Sequence, residues 1–144
     1  MLIRLATAED AAPLWALCEA YLASQTELGH PDQRKILALG IKHGVENGEA
    51  IFVAEKDGEL VGFVAWTALP AAADGEVVGL GTYVAREHRG VGLSNAMRQA
   101  AKEHCRNKGY KFVSGAVLLG NEAGKYSAAA SGGEITGYTL RWAL

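Results

Sequence analysis

The stretch Val84-Ala85-Arg86-Glu87-His88-Arg89-Gly90-Val91-Gly92-Leu93-Ser94 joins two different patterns. Before it, Glu76 to Val84 (EVVGLGTYV) is rich in strand-forming residues and reads as a β-strand. After it, Leu93, Ala96, Met97, Ala100, Ala101, His104 and Cys105 recur at helical spacing and predict a helix to about Lys108. Asn107 to Gly109 ends that helix. Phe112 to Leu119 (FVSGAVLL) then reads as a buried strand, because the run is apolar. Strand, helix and strand form a βαβ unit, so the two strands are expected to be parallel neighbours.

The joint carries chemistry of its own. A turn entering a helix leaves several backbone N–H groups without partners, and the helix dipole adds positive potential there. Gly90 and Gly92 have no Cβ, so an anion can come close to the backbone. Arg86, His88 and Arg89 add side-chain charge, and Ser94 adds a hydroxyl in the first helical turn. The segment therefore suits a diphosphate. The same two glycines also suit a plain tight turn, and the residues alone leave both readings open. Two rival phosphate motifs are excluded. There is no Gly-Lys-Ser/Thr, so this is not a P-loop, and the third glycine of the dinucleotide-binding turn is missing. Gly79-Leu80-Gly81 continues into Thr82-Tyr83-Val84 as strand rather than opening a helix.

Working outward, Leu2 to Leu5 reads as a first strand. Leu14, Leu17, Cys18, Tyr21 and Leu22 define the buried face of a first helix, capped by Thr7 or, given Pro13, by Asp10. Ser24 to Asp32 is a loop. A second helix spans about Gln33 to Glu46 and closes at Asn47-Gly48. Ala50 to Lys56 and Leu60 to Thr67 form a hairpin about Asp57-Gly58, where both residues tolerate positive φ. Leu69 to Gly75 is a loop, and Tyr138 to Leu144 is expected to be a last strand.

Composition sets the bounds. The chain has 144 residues, 49% hydrophobic and 21% charged, which suits one globular domain over residues 1–144. A net charge of −2 argues against a nucleic-acid binder, and no run is long enough for a membrane span. Two cysteines, Cys18 and Cys105, do not make a disulfide scaffold, and both lie on apolar helical stripes as inert thiols. His30, His43, His88 and His104 lack metal-ligand spacing, so no metal is expected. His88 is expected near phosphate and His104 in the core. No signal peptide is evident, so a cytoplasmic location is expected.

With these residues in view, the chain resembles the GNAT superfamily of acyl-CoA N-acyltransferases. The family hallmark is Gln/Arg-x-x-Gly-x-Gly/Ala after a strand ending in valine. Here it reads Arg89-Gly90-Val91-Gly92-Leu93-Ser94, with serine at the last small position. The element order to about Asn121 and the opening Ile3-Arg4-Leu5-Ala6-Thr7 also resemble that family. The resemblance implies a mixed α/β fold. Its central sheet is mostly antiparallel, with one splayed parallel pair that admits the pantetheine arm of acetyl-CoA.

Carried over, backbone groups of Thr82, Tyr83 and Val84 would hold that arm and the thioester carbonyl. Arg89, Gly90, Val91, Gly92, Leu93 and Ser94 would hold the diphosphate. Asn121 would lie beside the arm, although an asparagine after a strand is also an ordinary turn residue. Gly79 and Gly81 mark either close approach of the coenzyme or packing against a large side chain such as Trp66. Tyr126 matches the tyrosine that protonates the departing thiolate, but it lies closer to Asn121 than the family pattern has it. Ser131-Gly132-Gly133 also stands where Gly-Phe is usual.

An amine of pKa about 10 is roughly one part in a thousand neutral at pH 7, worth about 4 kcal/mol of barrier, so a base is useful. Glu76 is the leading candidate. Glu27, His30 and Tyr83 are others near the expected acceptor pocket, each of which serves equally as a surface or packing group.

The function implied is transfer of acetyl from acetyl-CoA to a primary amine, on a small molecule or a peptide, by direct attack without a metal. The alternatives are a catalytically inactive CoA-binding regulatory or assembly module and a general nucleotide-phosphate binder. A homodimer through an edge strand is a further expectation.

Overall fold

The computed structural model describes residues 1–25, 33–68, 75–117, 120–137 and 142–144. Five strands form one sheet in the order β1-β2-β3-β4-β5: β1 (Leu2–Leu5), β2 (Ala50–Lys56), β3 (Glu59–Thr67), β4 (Glu76–Val84) and β5 (Phe112–Ser114). β1 to β4 pair antiparallel, and β4 pairs β5 in parallel. Among the described residues, four helices flank the sheet: α1 (Ala11–Ser24), α2 (Gln33–Glu46), α3 (Leu93–Asn107) and α4 (Glu122–Ala130).

Helices cover both faces of β2 and β3, so Ala50–Ala54 and Leu60–Trp66 are apolar in continuous runs rather than at alternate positions. On one face α1 and α2 pack Leu14, Leu17, Cys18, Leu37 and Ile41 against Ile51, Val53, Phe63 and Ala65. On the other, Leu93, Met97, Ala101 and Cys105 of α3 pack against Ala50, Ala54, Val64, Trp66, Val77 and Val84. Those four α3 residues stand four apart, the seam expected of a helix lying along a sheet.

The predicted hairpin turn forms with Asp57 at φ +52° and Gly58 at φ +82°. Both proposed starts of α1 are used. Thr7 opens a short 3-10 turn over Ala8–Asp10 and donates its N–H to Asp10 Oδ2 at 2.8 Å, and α1 then runs from Ala11 with Pro13 in its first turn. Arg4 clamps the same carboxylate at 2.8 and 2.9 Å and reaches Glu55 at 3.2 Å. The Arg4 hydrogen bonds hold the Asp10 carboxyl down to about 2, against partial burial that opposes them.

Several expectations need correction. Phe112 to Leu119 is not a buried strand among the described residues: β5 is Phe112–Ser114 and all three residues are exposed. Residues 118 and 119, the loop residues 26–32 and 69–74, and residues 138–141 of the expected last strand lie outside the described residues. His104 is at the rim of the core rather than within it. It is half-buried, edge-on to Phe52, with Nε2 2.8 Å from Gly48 O. α4 has no counterpart in the sequence reading.

Candidate functional site

β4 ends at Val84, a 3-10 turn follows over Arg86–His88, and Gly90 and Gly92 deliver the chain into α3. Gly90 has φ +82° and Gly92 φ +77°, so the turn itself demands glycine at both positions. A Cβ at either would meet no protein atom within 4 Å, which leaves the space in front of them open. The turn reading holds, and the open space leaves room for a close approach as well. The first backbone bond of α3 is Ala96 N–H to Gly92 O at 3.0 Å. Among the described residues, the N–H groups of Gly90, Val91, Gly92, Leu93, Ser94 and Asn95 have no acceptor in the chain.

Arg89 borders the cavity, and its side chain is also tied within the chain. Its Nε donates to Val84 O at 2.8 Å, and its guanidinium lies 5.4 Å from the Tyr83 ring centre. The side chain is folded back along the end of β4, where it fixes the turn.

β4 is bonded on its two sides to very different extents. β3 accompanies it from Val78 to Val84, whereas β5 pairs only with Glu76–Val78. From Gly79 onward the β5 side of β4 has no strand partner among the described residues. Ala85 N–H bonds Val61 O across the ladder, so strand alternation turns the backbone groups of Thr82 and Val84 toward the open side and those of Tyr83 toward β3. Leu80 is the extra residue of a β-bulge, because Ala65 faces Gly81 and Trp66 faces Gly79. Gly79 is in ordinary contact distance of Trp66. Gly81 is the tight position: a Cβ there would come within 2.9 Å of Tyr21 Cζ.

One cavity of about 380 Å³ collects these features. Its walls are Thr82, Tyr83 and Val84 of β4; His88, Arg89, Gly90 and Gly92 of the turn; and Leu93, Ser94 and Arg98 of α3. Ala123 and Gly124 of α4 with its cap Asn121, and Tyr21 and Ser24 of α1 with its cap Gln25, complete them. Asn121 is both a helix cap and a wall residue, since its Oδ1 accepts from Gly124 N–H at 2.9 Å. Arg98 was missed from the sequence. It stands one turn beyond Ser94 on α3, hydrogen-bonds Ser127 of α4, and loses basicity through burial. The spacing of four from Ser94 was the available signal.

Two expected catalytic groups are elsewhere. Tyr126 is 78% exposed and is not part of the cavity wall; the register of α4 that brings Asn121, Ala123 and Gly124 to the wall turns it outward. Glu76 stands at the opposite end of β4 from the turn, beside Phe112, and accepts from the Ser114 hydroxyl. Six residue steps along the strand, roughly 20 Å, separate it from Thr82. Glu27 and His30 lie outside the described residues. Cys18 and Cys105 are buried thiols pushed up to about 12 and about 11 by desolvation, so both stay protonated at neutral pH. Among the described residues, no group of three His, Cys, Asp or Glu is placed to hold a metal ion, and no helix is long and apolar enough to cross a membrane.

Comparison with solved structures finds the same fold in several acetyltransferases. AAC(6')-Iy in complex with the bisubstrate analogue CoA-S-monomethyl-acetylneamine superposes with a TM-score of 0.74 at 19% identity, over 99% of this chain and 97% of that one. Ribosomal-protein-alanine N-acetyltransferase from Brucella melitensis gives 0.71 at 21% identity, over 92% and 83%. Diaminobutyrate acetyltransferase EctA from Paenibacillus lautus, in complex with L-2,4-diaminobutyric acid and coenzyme A, gives 0.71 at 21%, over 90% and 73%. No curated protein matches the sequence. Residues 14–125, which run from within α1 through β2 to β5 and into α4, match the acetyltransferase (GNAT) family, and the chain belongs to that family.

Proposed function

We propose that the chain, as a single domain, is an acetyl-CoA-dependent N-acetyltransferase that moves the acetyl group to a primary amine by direct attack. The observation that carries the reading is the shared cavity: an unpaired N–H cluster at the start of α3 and the open edge of β4 face the same space. The N–H groups of Gly90 to Ser94 suit a diphosphate, because they are fixed donors at the positive end of a helix. The outward N–H and C=O of Thr82 and N–H of Val84 suit the amide groups of a pantetheine arm, as a partner strand would. Asn121 and Arg98 form the facing wall. Acetyl-CoA bound there supplies an activated acyl group, and this chain's residues hold and orient it.

Related folds support an amine acceptor. Their named substrates include an aminoglycoside, a ribosomal-protein alanine and L-2,4-diaminobutyric acid, all of which carry amines. Neither Tyr126 nor Glu76 is assigned a catalytic role, because neither lines the cavity. Those same two positions favour one second reading, a CoA-binding module without turnover.

Titration with acetyl-CoA, CoA and ATP, followed by thiol release in the presence of an amine panel (kanamycin, glycinamide, spermidine), tests the proposal. Saturable binding of acetyl-CoA with amine-dependent release of CoA is expected. Binding without release on any amine supports the inert module. ATP binding more tightly than CoA, or no binding of acetyl-CoA at millimolar concentration, overturns both.

A further inference from the structure

Tyr21 lies on the packed stripe of α1, yet its tip reaches past the core to the cavity. It lies near the end of α1 and meets Phe63 edge-on, with ring centres 5.9 Å apart and planes at 80°. It meets Tyr83 edge-on at 6.4 Å and 74°. The two contacts set the ring direction, and the tip comes to rest on β4 at Gly81. A Cβ at 81 would be 2.9 Å from Cζ and 3.2 Å from the hydroxyl oxygen. The missing side chain at Gly81 is thus what lets the phenol touch the strand, one residue past the Leu80 bulge, where β4 has already parted from β5.

Tyr21 also lines the cavity, at the end away from the glycine turn. Among the described residues, its hydroxyl donates to no acceptor. The phenol is half-buried and borders the cavity, so its O–H is free to donate to a group bound there. Burial pushes its pKa up, so the proton stays in place at neutral pH. Such a group is suited to donate a hydrogen bond and unsuited to give its proton away.

We propose that the Tyr21 hydroxyl is a catalytic hydrogen-bond donor to the thioester carbonyl oxygen of the acyl donor, at the Gly81 end of the cavity. The inference rests on the acyl-transfer reading above and adds to it the side chain that meets the reacting carbonyl. As the amine nitrogen bonds the carbonyl carbon, negative charge gathers on that oxygen and the bond from Tyr21 strengthens. The oxygen pair then returns, the carbon–sulfur bond breaks, and the proton lost by the amine ends on sulfur. Tyr21 keeps its own proton throughout.

The test compares wild type with Tyr21→Phe, which preserves both ring contacts, using acetyl-CoA labelled with ¹³C at the carbonyl. In wild type, binding is expected to lower the infrared carbonyl stretch. In Tyr21→Phe at least half of that displacement is expected to vanish while acetyl-CoA affinity stays within about threefold. CoA release is expected to fall about tenfold or more, through kcat rather than KM, with the pH profile unchanged in shape. Gly81→Ala, which keeps the hydroxyl but drives the ring off β4, is expected to lose the same displacement and carries the test if Tyr21→Phe does not fold. An equal carbonyl displacement in wild type and variant, or turnover within twofold, overturns the role of Tyr21 and leaves the acyl-transfer reading standing. No binding of acetyl-CoA by wild type overturns the acyl-transfer reading, and the Tyr21 assignment with it.

Discussion

The β2–β3 hairpin and the segment from β5 through α4 are built to opposite standards. In β3 the seven residues from Val61 to Thr67 are all buried, between α1 and α2 on one side and α3 on the other. In β5 every residue is exposed, with Phe112 at 68%, and α4 buries none of its nine residues. What holds α4 is polar: Arg98 on Ser127 and Lys102 Nζ on Ser131 O at 3.1 Å. The cavity lies where the two regions meet. Its β4 and α3 walls belong to a close-packed frame, and its α4 wall is attached by a few hydrogen bonds. Local stability is expected to follow the same division, because low-stability units are those with few buried apolar contacts.

Paired truncations give the largest effect and the sharpest test of this contrast. Phe63→Ala, at a fully buried site, is expected to cost about 3–5 kcal/mol in chemical denaturation. Phe112→Ala is expected to cost less than about 0.5 kcal/mol. Similar costs at both sites would show that the β5 region is as tightly packed as the hairpin.

At the junction, Gly90→Glu is expected to weaken acetyl-CoA binding at least about a hundredfold, since a carboxylate would face the diphosphate at close range. Gly90→Ala introduces the same backbone strain at φ +82° without the charge, and is expected to bind far better. Equal loss in the two variants would assign the effect to strain. Next in size is the Arg4–Asp10 clamp on the packed side. Asp10 lies below its ordinary 3.8, at about 2, when folded, so its contribution is complete above pH 3.8 and is lost as pH falls toward 2. Asp10→Asn is expected to remove about 2 kcal/mol at neutral pH and to flatten stability between pH 4 and 2.

Arg98→Met cuts the polar attachment of α4 and is expected to weaken acetyl-CoA binding about tenfold with little change in melting temperature. Tyr126→Phe is expected to leave turnover within twofold, because its ring points to solvent.

The parts of the fold that were legible in the sequence are those where a local demand has few chemical solutions. Positive φ at Asp57 and Gly58, and at Gly90 and Gly92, restricts the residue types, so the hairpin and the turn into α3 were readable. The seam of α3 was readable because a helix on a sheet buries one residue per turn. Apolarity, by contrast, reports what a strand tolerates and not what covers it. FVSGAVLL resembles LVGFVAWT in composition, yet among the described residues Phe112 lies in an edge strand of the sheet and is exposed. α4 was invisible for the same reason: with no buried face, Glu122–Ala130 has no periodicity to read. Tyr126 followed from that omission, since its direction depends on the helix it belongs to. Tyr21 belongs to the site through a neighbouring glycine, a relation between distant residues that spacing within one element does not express, whereas the spacing of Arg98 from Ser94 on α3 did carry its place.

The folded-back Arg89 explains which residues the turn can accept at that point. The carbonyl of Val84 is the last one on the open side of its strand, and a single N–H at the correct reach satisfies it. A carboxamide of similar reach has such an N–H, so glutamine is an adequate substitute, whereas a thioether or a hydrocarbon of equal length would leave that oxygen orphaned. The side chain is thus a latch that holds the turn against the end of its strand, in addition to bordering the cavity.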